Sequence, residues 1–303
     1  MAISPIKIGI NPISWSNDDL PALGGETPLE TALREGKEIG YEGFELNGKF
    51  PRTPQGVRDV LAEHDLALVS GWYSSLLAHR SVEEEIDAIA SHCRLLAENG
   101  ATVLVYGEVA GSIQSRRIPL IERPRFHTQE QWKRYGEKLT TLARFTQSQG
   151  VRLAYHHHMG AYVESPEDIA QLMAATGTEV GLLFDAGHCA MGGGEPLAVL
   201  NAHIERVCHV HFKDVRQRVV KLARNNQWSF PDCIVNGTFT VPGDGDIDFS
   251  PLLDTLLAAG YQGWLVVEAE QDPAVAPSYL YAKKGFDTLR ELVSRAQSRL
   301  VQH

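Results

Sequence analysis

The chain has 303 residues, 43% of them apolar, with 38 acidic against 28 basic side chains and a formal net charge of -10. That balance repels a phosphate backbone and supplies no basic patch, and no segment approaches the roughly 20 consecutive apolar residues of a membrane span, so neither nucleic acid nor bilayer is an expected partner. Cys93, Cys189, Cys208 and Cys233 occur singly, which suits reduced residues of a cytoplasmic protein better than a disulfide framework, and a strand beginning at Ile6 leaves no room for a signal peptide.

In chain order, compact apolar runs bounded by Gly, Asp or Asn predict strands over Ile6–Asn11, Gly43–Asn47, Leu66–Gly71, Thr102–Tyr106, Arg152–His157, Glu179–Asp185, Val207–Phe212 and Gly263–Glu268. Amphipathic stretches predict helices over Pro28–Ile39, Pro54–His64, Val82–Asn99, Thr128–Gln149, Pro166–Ala175, Pro196–His203, Pro251–Ala259 and Pro277–Ser298. Thr27-Pro28, Ser165-Pro166 and Ser250-Pro251 put a hydroxyl at a helix cap and proline in the first turn, where its missing N–H costs nothing. Gly40, Gly100, Gly150, Gly177 and Gly260 stand where left-handed caps would end five helices. Eight strand-then-helix alternations predict a single α/β domain over residues 1–303, a (β/α)8 barrel. Two insertions, about 108–127 and 216–248, follow the fourth and seventh strands and are candidate lids, since barrels build their active sites on that side.

Four clusters carry the chemistry: Tyr155-His156-His157-His158-Met159-Gly160, Phe184-Asp185-Ala186-Gly187-His188, His209-Val210-His211-Phe212-Lys213-Asp214 and Val266-Val267-Glu268-Ala269-Glu270. Each ends an apolar run, so imidazoles and carboxylates gather at the C-terminal mouth of the barrel, which is the position of a divalent-metal site. Alternation along the strands points His156 and His158 inward from the fifth, His209, His211 and Lys213 from the seventh, and Trp264, Val266 and Glu268 from the eighth. Asp185 ends the sixth. Mixed imidazole and carboxylate donors suit Mn²⁺, Co²⁺, Fe²⁺ or Zn²⁺ better than Mg²⁺ or Ca²⁺, and the choice among the four stays open.

The stretches Gly9-Ile10-Asn11-Pro12-Ile13-Ser14-Trp15, Gly43-Phe44-Glu45-Leu46, the triple histidine, Asp185-Ala186-Gly187-His188, His209 to Arg216, Pro242-Gly243-Asp244-Gly245 and Val267-Glu268-Ala269-Glu270 resemble the xylose-isomerase-like TIM-barrel superfamily of sugar isomerases, epimerases and dehydratases. Within it the chain is most similar, over nearly its whole length, to the inosose (2-keto-myo-inositol) dehydratase family of inositol catabolism. The resemblance implies one divalent transition metal, Mn or Co first, held by His156, Asp185, His211 and Glu268. His156 stands where the superfamily commonly has Glu, so His158 or water is an alternative fourth ligand. It also implies a polyol ketone as substrate, a hydro-lyase activity giving a trihydroxycyclohexane-1,2-dione, glutathione as a second candidate cofactor and a homo-oligomer as a candidate assembly.

The expected reaction removes water from a cyclic ketone, through a proton abstracted beside a carbonyl and a protonated leaving hydroxyl. His158, Lys213 and His188 are the candidates for proton transfer, without a ranking of base and acid. Trp15, Glu45, Glu108 and Arg216 are the candidates for holding ring hydroxyls. Against these stand plainer readings: Glu45 as a salt bridge at the barrel mouth, Lys213 as a counter-ion to Asp185 or Glu268, the triple histidine as a metal-free rim cluster, and Asp244 with Asp246 as a tight turn. The rival activities are a metal-dependent ketose epimerase or sugar isomerase, which shares the first proton abstraction, an abasic-site endonuclease, which the net charge of -10 disfavours, and a non-catalytic sugar binder.

Overall fold

A computed structural model describes residues 6–301. In chain order its elements are β1 Ile8–Ile10, α1 Leu29–Ile39, β2 Gly43–Leu46, α2 Pro54–Ala62, β3 Ala67–Ser75, α3 Val82–Glu98, β4 Val103–Glu108, α4 Gln129–Ser148, β5 Arg152–His156, α5 Pro166–Ala175, β6 Gly181–Asp185, α6 Ala186–Met191, α7 Pro196–His203, β7 Val207–Phe212, β8 Asp214–Val215, α8 Gln217–Asn225, α9 Phe230–Val235, β9 Phe239–Thr240, α10 Phe249–Ala258, β10 Leu265–Val267 and α11 Ser278–Val301. Strands β1 to β7 and β10 pair in parallel and close on themselves, while β8 and β9 form a separate antiparallel ribbon.

Closure divides the apolar side chains between two layers. Leu153, Leu182, Val210, Leu265 and Val267 pack outward against the helices. Val105, Ala154 and Leu183, with Trp72 and Cys208 beside them, fill the barrel axis. Two register slips re-aim side chains inward: between Phe44 and Glu45 against β3, which brings Glu45 opposite Ser70, and between Leu182 and Leu183 against β7, which brings Leu183 opposite His209. Paired with β4 from Trp72 onward, β3 runs on to Ser75, four residues past the Gly71 at which its apolar run breaks.

The helices start where their caps dictate. Capping boxes open α3 at Ser81 and Glu84, α4 at Thr128 and Gln131, and α5 at Ser165 and Asp168. Two expected caps are displaced: Pro28 itself precedes α1 without a side-chain bond, and Asp248, not Ser250, caps α10. Gly40, Gly100, Gly150 and Gly260 do adopt positive φ, but Gly177 does not, because α5 ends at Thr176 in an extended conformation.

The second insertion is a packed structure rather than an open loop. Helices α8 and α9 and the β8–β9 ribbon bury Val220, Phe230, Ile234 and Phe239 in an apolar cluster of their own with Met159 and Met191. Asp214 ties its two ends by accepting the backbone N–H groups of Gly245 at 3.0 Å and Ile247 at 2.9 Å. The first insertion is held by buried Arg123, which pairs with Asp168 at 2.6 Å and Glu164 at 3.3 Å and donates to the carbonyls of Ala161 and Tyr162. Both insertions therefore clamp the loop that carries His157 to Gly160.

Candidate active site

A cavity of about 550 Å³ opens at the C-terminal ends of the strands, and His156, His158, His211, Glu45, Glu268 and Glu270 form its floor. Asn11, Asp19, Asn47, Arg52, Trp72 and Ser74 line its upper wall. Trp72 stands edge-on to His156 and His158, with ring centroids 5.6 and 5.8 Å away. It fits because β4 has Gly107 where the indole lies; a Cβ there would meet the ring at 2.0 Å.

Asp185, His211 and Glu268 converge, each offering one ligand atom within 4.8 Å of the others. His211 Nδ1 lies 3.5 Å from Asp185 Oδ2 and 4.0 Å from Glu268 Oε2, and it has no hydrogen-bond partner. His156 joins through Asp185, its Nε2 3.4 Å from Oδ2. Buried orphaned nitrogen beside two carboxylates is the donor chemistry of a divalent transition ion, so these residues fit a metal. Burial together with Glu270 pushes the Glu268 carboxyl up to about 8. Burial opposes charge on His211 too, yet the Glu45 carboxylate, with Asp185 and Glu268, lifts that imidazole to about 10. A bound cation would replace that proton.

Lys213 supplies a fixed positive charge behind this set. Its ammonium lies 2.6 Å from Glu268, 2.7 Å from Glu270 and 3.4 Å from Asp185, and donates to His188 Nε2 at 2.8 Å. Burial lowers the Lys213 pKa, but the three carboxylates outweigh it and hold it above the ordinary lysine value. Burial and Lys213 push His188 the other way, down to about 3, so it is neutral with Nε2 accepting. His158 is also neutral, its pKa lowered by burial. Its Nδ1 faces the Met159 carbonyl at 2.9 Å; a carbonyl only accepts, so Nδ1 carries the hydrogen and Nε2 keeps the lone pair. Phe230 from α9 closes over that ring with centroids 4.9 Å apart.

Not all the expected residues meet here. Lys213 and His188 are fully buried behind Glu268 and Glu270 and do not reach the cavity wall, which corrects their expected direct contact with substrate. Trp15 points away, its Nε1–H donating to Glu35 at 2.6 Å while its ring packs on Phe44. Glu108 turns into the wall, where Tyr106, Tyr135 and the backbone N–H groups of Ala78 and Ala110 occupy its oxygens. Arg216 is spent on Asp244 at 2.5 Å and the Gly237 carbonyl at 2.7 Å, holding the tight turn at Gly243. Glu45 does line the cavity.

Sequence reasoning gave no role to Glu270, Asp19 or Trp72. Glu270 had a legible signal, sharing the parity of Glu268 on the last strand. Asp19 had none, because it enters from the loop after β1 and is held by Gln114 of the first insertion at 3.2 Å. Trp72 followed a glycine that reads as a strand end.

A sequence model described as xylose isomerase-like TIM barrel matches residues 33–292. The chain belongs to this family. It is 48% identical over 300 residues to the rhizopine catabolism protein MocC of Rhizobium meliloti, covering 99% of this chain and 92% of that protein. It is 42% identical over 288 residues to an inosose dehydratase of Geobacillus thermodenitrificans, covering 94% of this chain and 97% of the relative. Among solved structures, the IOLI protein with a bound zinc atom superimposes with a TM-score of 0.68 at 16% identity over 96% of this chain and 99% of that one, a likeness of fold. Among the described residues no helix is long and apolar enough to cross a membrane.

Proposed function

We propose that this chain is a metal-dependent hydro-lyase that removes water from 2-keto-myo-inositol to give a trihydroxycyclohexane-1,2-dione. The observation that carries the reading is a neutral histidine, His158, whose free Nε2 belongs to the same cavity as His211 and Glu268, two members of the Asp185–His211–Glu268 set. The 42% identity to an inosose dehydratase along nearly the whole chain supports the substrate. Asp185, His211 and Glu268, with His156 at the side, would hold one Mn²⁺ or Co²⁺. Such an ion would polarise the ketone and a neighbouring hydroxyl and so stabilise the negative charge of an enediolate.

The protein's own groups carry the protons. His158 Nε2 takes the proton from the carbon beside the ketone, leaving an enediolate, and Glu270, 3.9 Å away, stabilises the imidazolium that forms. The imidazolium then returns its proton to the β-hydroxyl oxygen as the C–O bond breaks, releasing water and leaving an enol that tautomerises to the dione. Lys213 keeps Glu270 ionised for this role, and acts through it rather than on the substrate. Asn11, Asn47, Asp19 and Ser74 would bind ring hydroxyls.

Conversion of 2-keto-myo-inositol is followed by the ultraviolet absorbance of the dione. Activity is expected to vanish with a chelator, to return with Mn²⁺ or Co²⁺, and to fall at least about 100-fold in His158→Ala, the usual scale of a lost general base. Epimerisation of ketohexoses at higher kcat/KM than this dehydration would replace the reading with the epimerase one. Full activity in metal-free protein would remove the metal from it.

A further inference from the structure

Glu45, one residue before the end of β2, lies on the cavity floor, and its carboxylate is more heavily engaged than any substrate contact should be. A carboxylate offers about four lone-pair positions. Ser70 donates to Oε1 at 2.6 Å and His209 Nε2 lies 2.7 Å from the same oxygen. Asn11 donates to Oε2 at 2.8 Å, and His211 Nε2 bridges both oxygens at 3.2 and 3.1 Å. The Asn11 amide cannot turn over to release its position, because its Oδ1 already accepts the Ile13 N–H at 2.9 Å. Four donors fill four positions, so nothing is left for a ring hydroxyl.

What Glu45 does to His211 follows from the same contacts. A carboxylate only accepts, so His211 Nε2 carries a hydrogen. That fixes the other nitrogen, Nδ1, as the one facing Asp185 and Glu268 at 3.5 and 4.0 Å. An imidazole ligand needs its partner nitrogen held in this way, since the hydrogen bond sets both tautomer and ring plane and raises donor strength. The register slip against β3 brings Ser70 opposite Glu45, so the anchor is built into the barrel wall.

We propose that Glu45 is a positioning residue that orients His211 Nδ1 toward the metal, and that it makes no contact with substrate. The inference rests on the metal reading above. It assigns Ser70, Asn11 and His209 the task of holding the carboxylate still.

The test is Co²⁺ binding, read as affinity by calorimetry and as the visible absorption spectrum of the bound ion, which reports ligand geometry without turnover. Glu45→Ala is expected to weaken Co²⁺ binding about 10- to 100-fold and to change the spectrum, the scale expected for a lost partner of a histidine ligand. Glu45→Gln keeps an oxygen for His211 but loses the charge, so a smaller loss is expected, and this variant carries the test if the alanine form does not fold. Wild-type affinity and spectrum in either folded variant, with a raised KM for 2-keto-myo-inositol, would return Glu45 to substrate binding and overturn the proposal alone. No Co²⁺ binding by the wild-type chain would overturn the metal reading together with it.

Discussion

Glu108 shows how a residue at a strand end is drawn away from the chemistry around it. It ends β4, next to the strand that ends at His156, yet four donors inside the wall capture its carboxylate. Burial still dominates and pushes the carboxyl from 4.5 up to about 7, the hydrogen bonds offsetting it only in part. A folded-state pKa above the unfolded one means that the folded protein binds the proton more tightly. The contribution of Glu108 to stability is thus complete below about pH 4.5 and is lost as pH rises through about 7. At about 1.4 kcal/mol per pKa unit the loss across that window is about 3 kcal/mol. Glu108→Gln, neutral at every pH, should show a flatter stability profile than wild type between pH 5 and 8. Urea midpoints measured across that range check it, and a slope equal to wild type would show the carboxyl to be ionised throughout. At this scale the cluster of imidazoles and carboxylates was legible, because the strand ends that carry it are written in sequence. Depth was not. Whether Lys213 meets substrate or hides behind Glu270 depends on strand stagger, which no local pattern encodes.

Among the elements, the eight barrel strands and their helices were legible because period-two and period-3.6 patterns alternate without a break, and those patterns reflect burial on both faces of a parallel sheet. The departures have local causes. β3 continues past Gly71 because Trp72 to Ser75 pair with Val105 to Glu108 of β4, and the insertion after β7 folds because Phe230, Ile234 and Phe239 bury one another. α6 is the least forgiving element. It follows Asp185 directly, is buried along its whole length, and lies so close to β7 that a Cβ on Gly187 would stand 2.5 Å from Lys213 Cγ. Gly187→Ala should push the lysine stem or the helix aside, costing about 1–3 kcal/mol as overpacking does, and should disturb the ammonium's distances to Glu268 and Glu270. A denaturant midpoint unchanged from wild type would mean that α6 can shift freely, contrary to its packing.

Across the whole molecule, the barrel gathers Asp185, Glu268 and Glu270 around a single ammonium, and protons held on His211 and Glu268 balance the remaining negative charge of the buried site. A divalent cation would take the place of those protons. Because the three proposed ligands come from β6, β7 and the end of β10, and the unfolded chain does not bring them together, an ion bound there stabilises only the folded state. Ligand at 100 times its Kd adds about 2.7 kcal/mol. With about 2.1 cal/mol/K of unfolding entropy per residue over 303 residues, that corresponds to a rise in Tm of about 4 °C. Thermal unfolding of chelator-treated protein, titrated with Mn²⁺ or Co²⁺, should show this rise, continuing logarithmically with free ion. Asp185→Asn keeps the shape of the site and loses one ligand charge, so its Tm should stay flat over the same concentrations. An equal rise in that variant would place the stabilising ion somewhere other than this site.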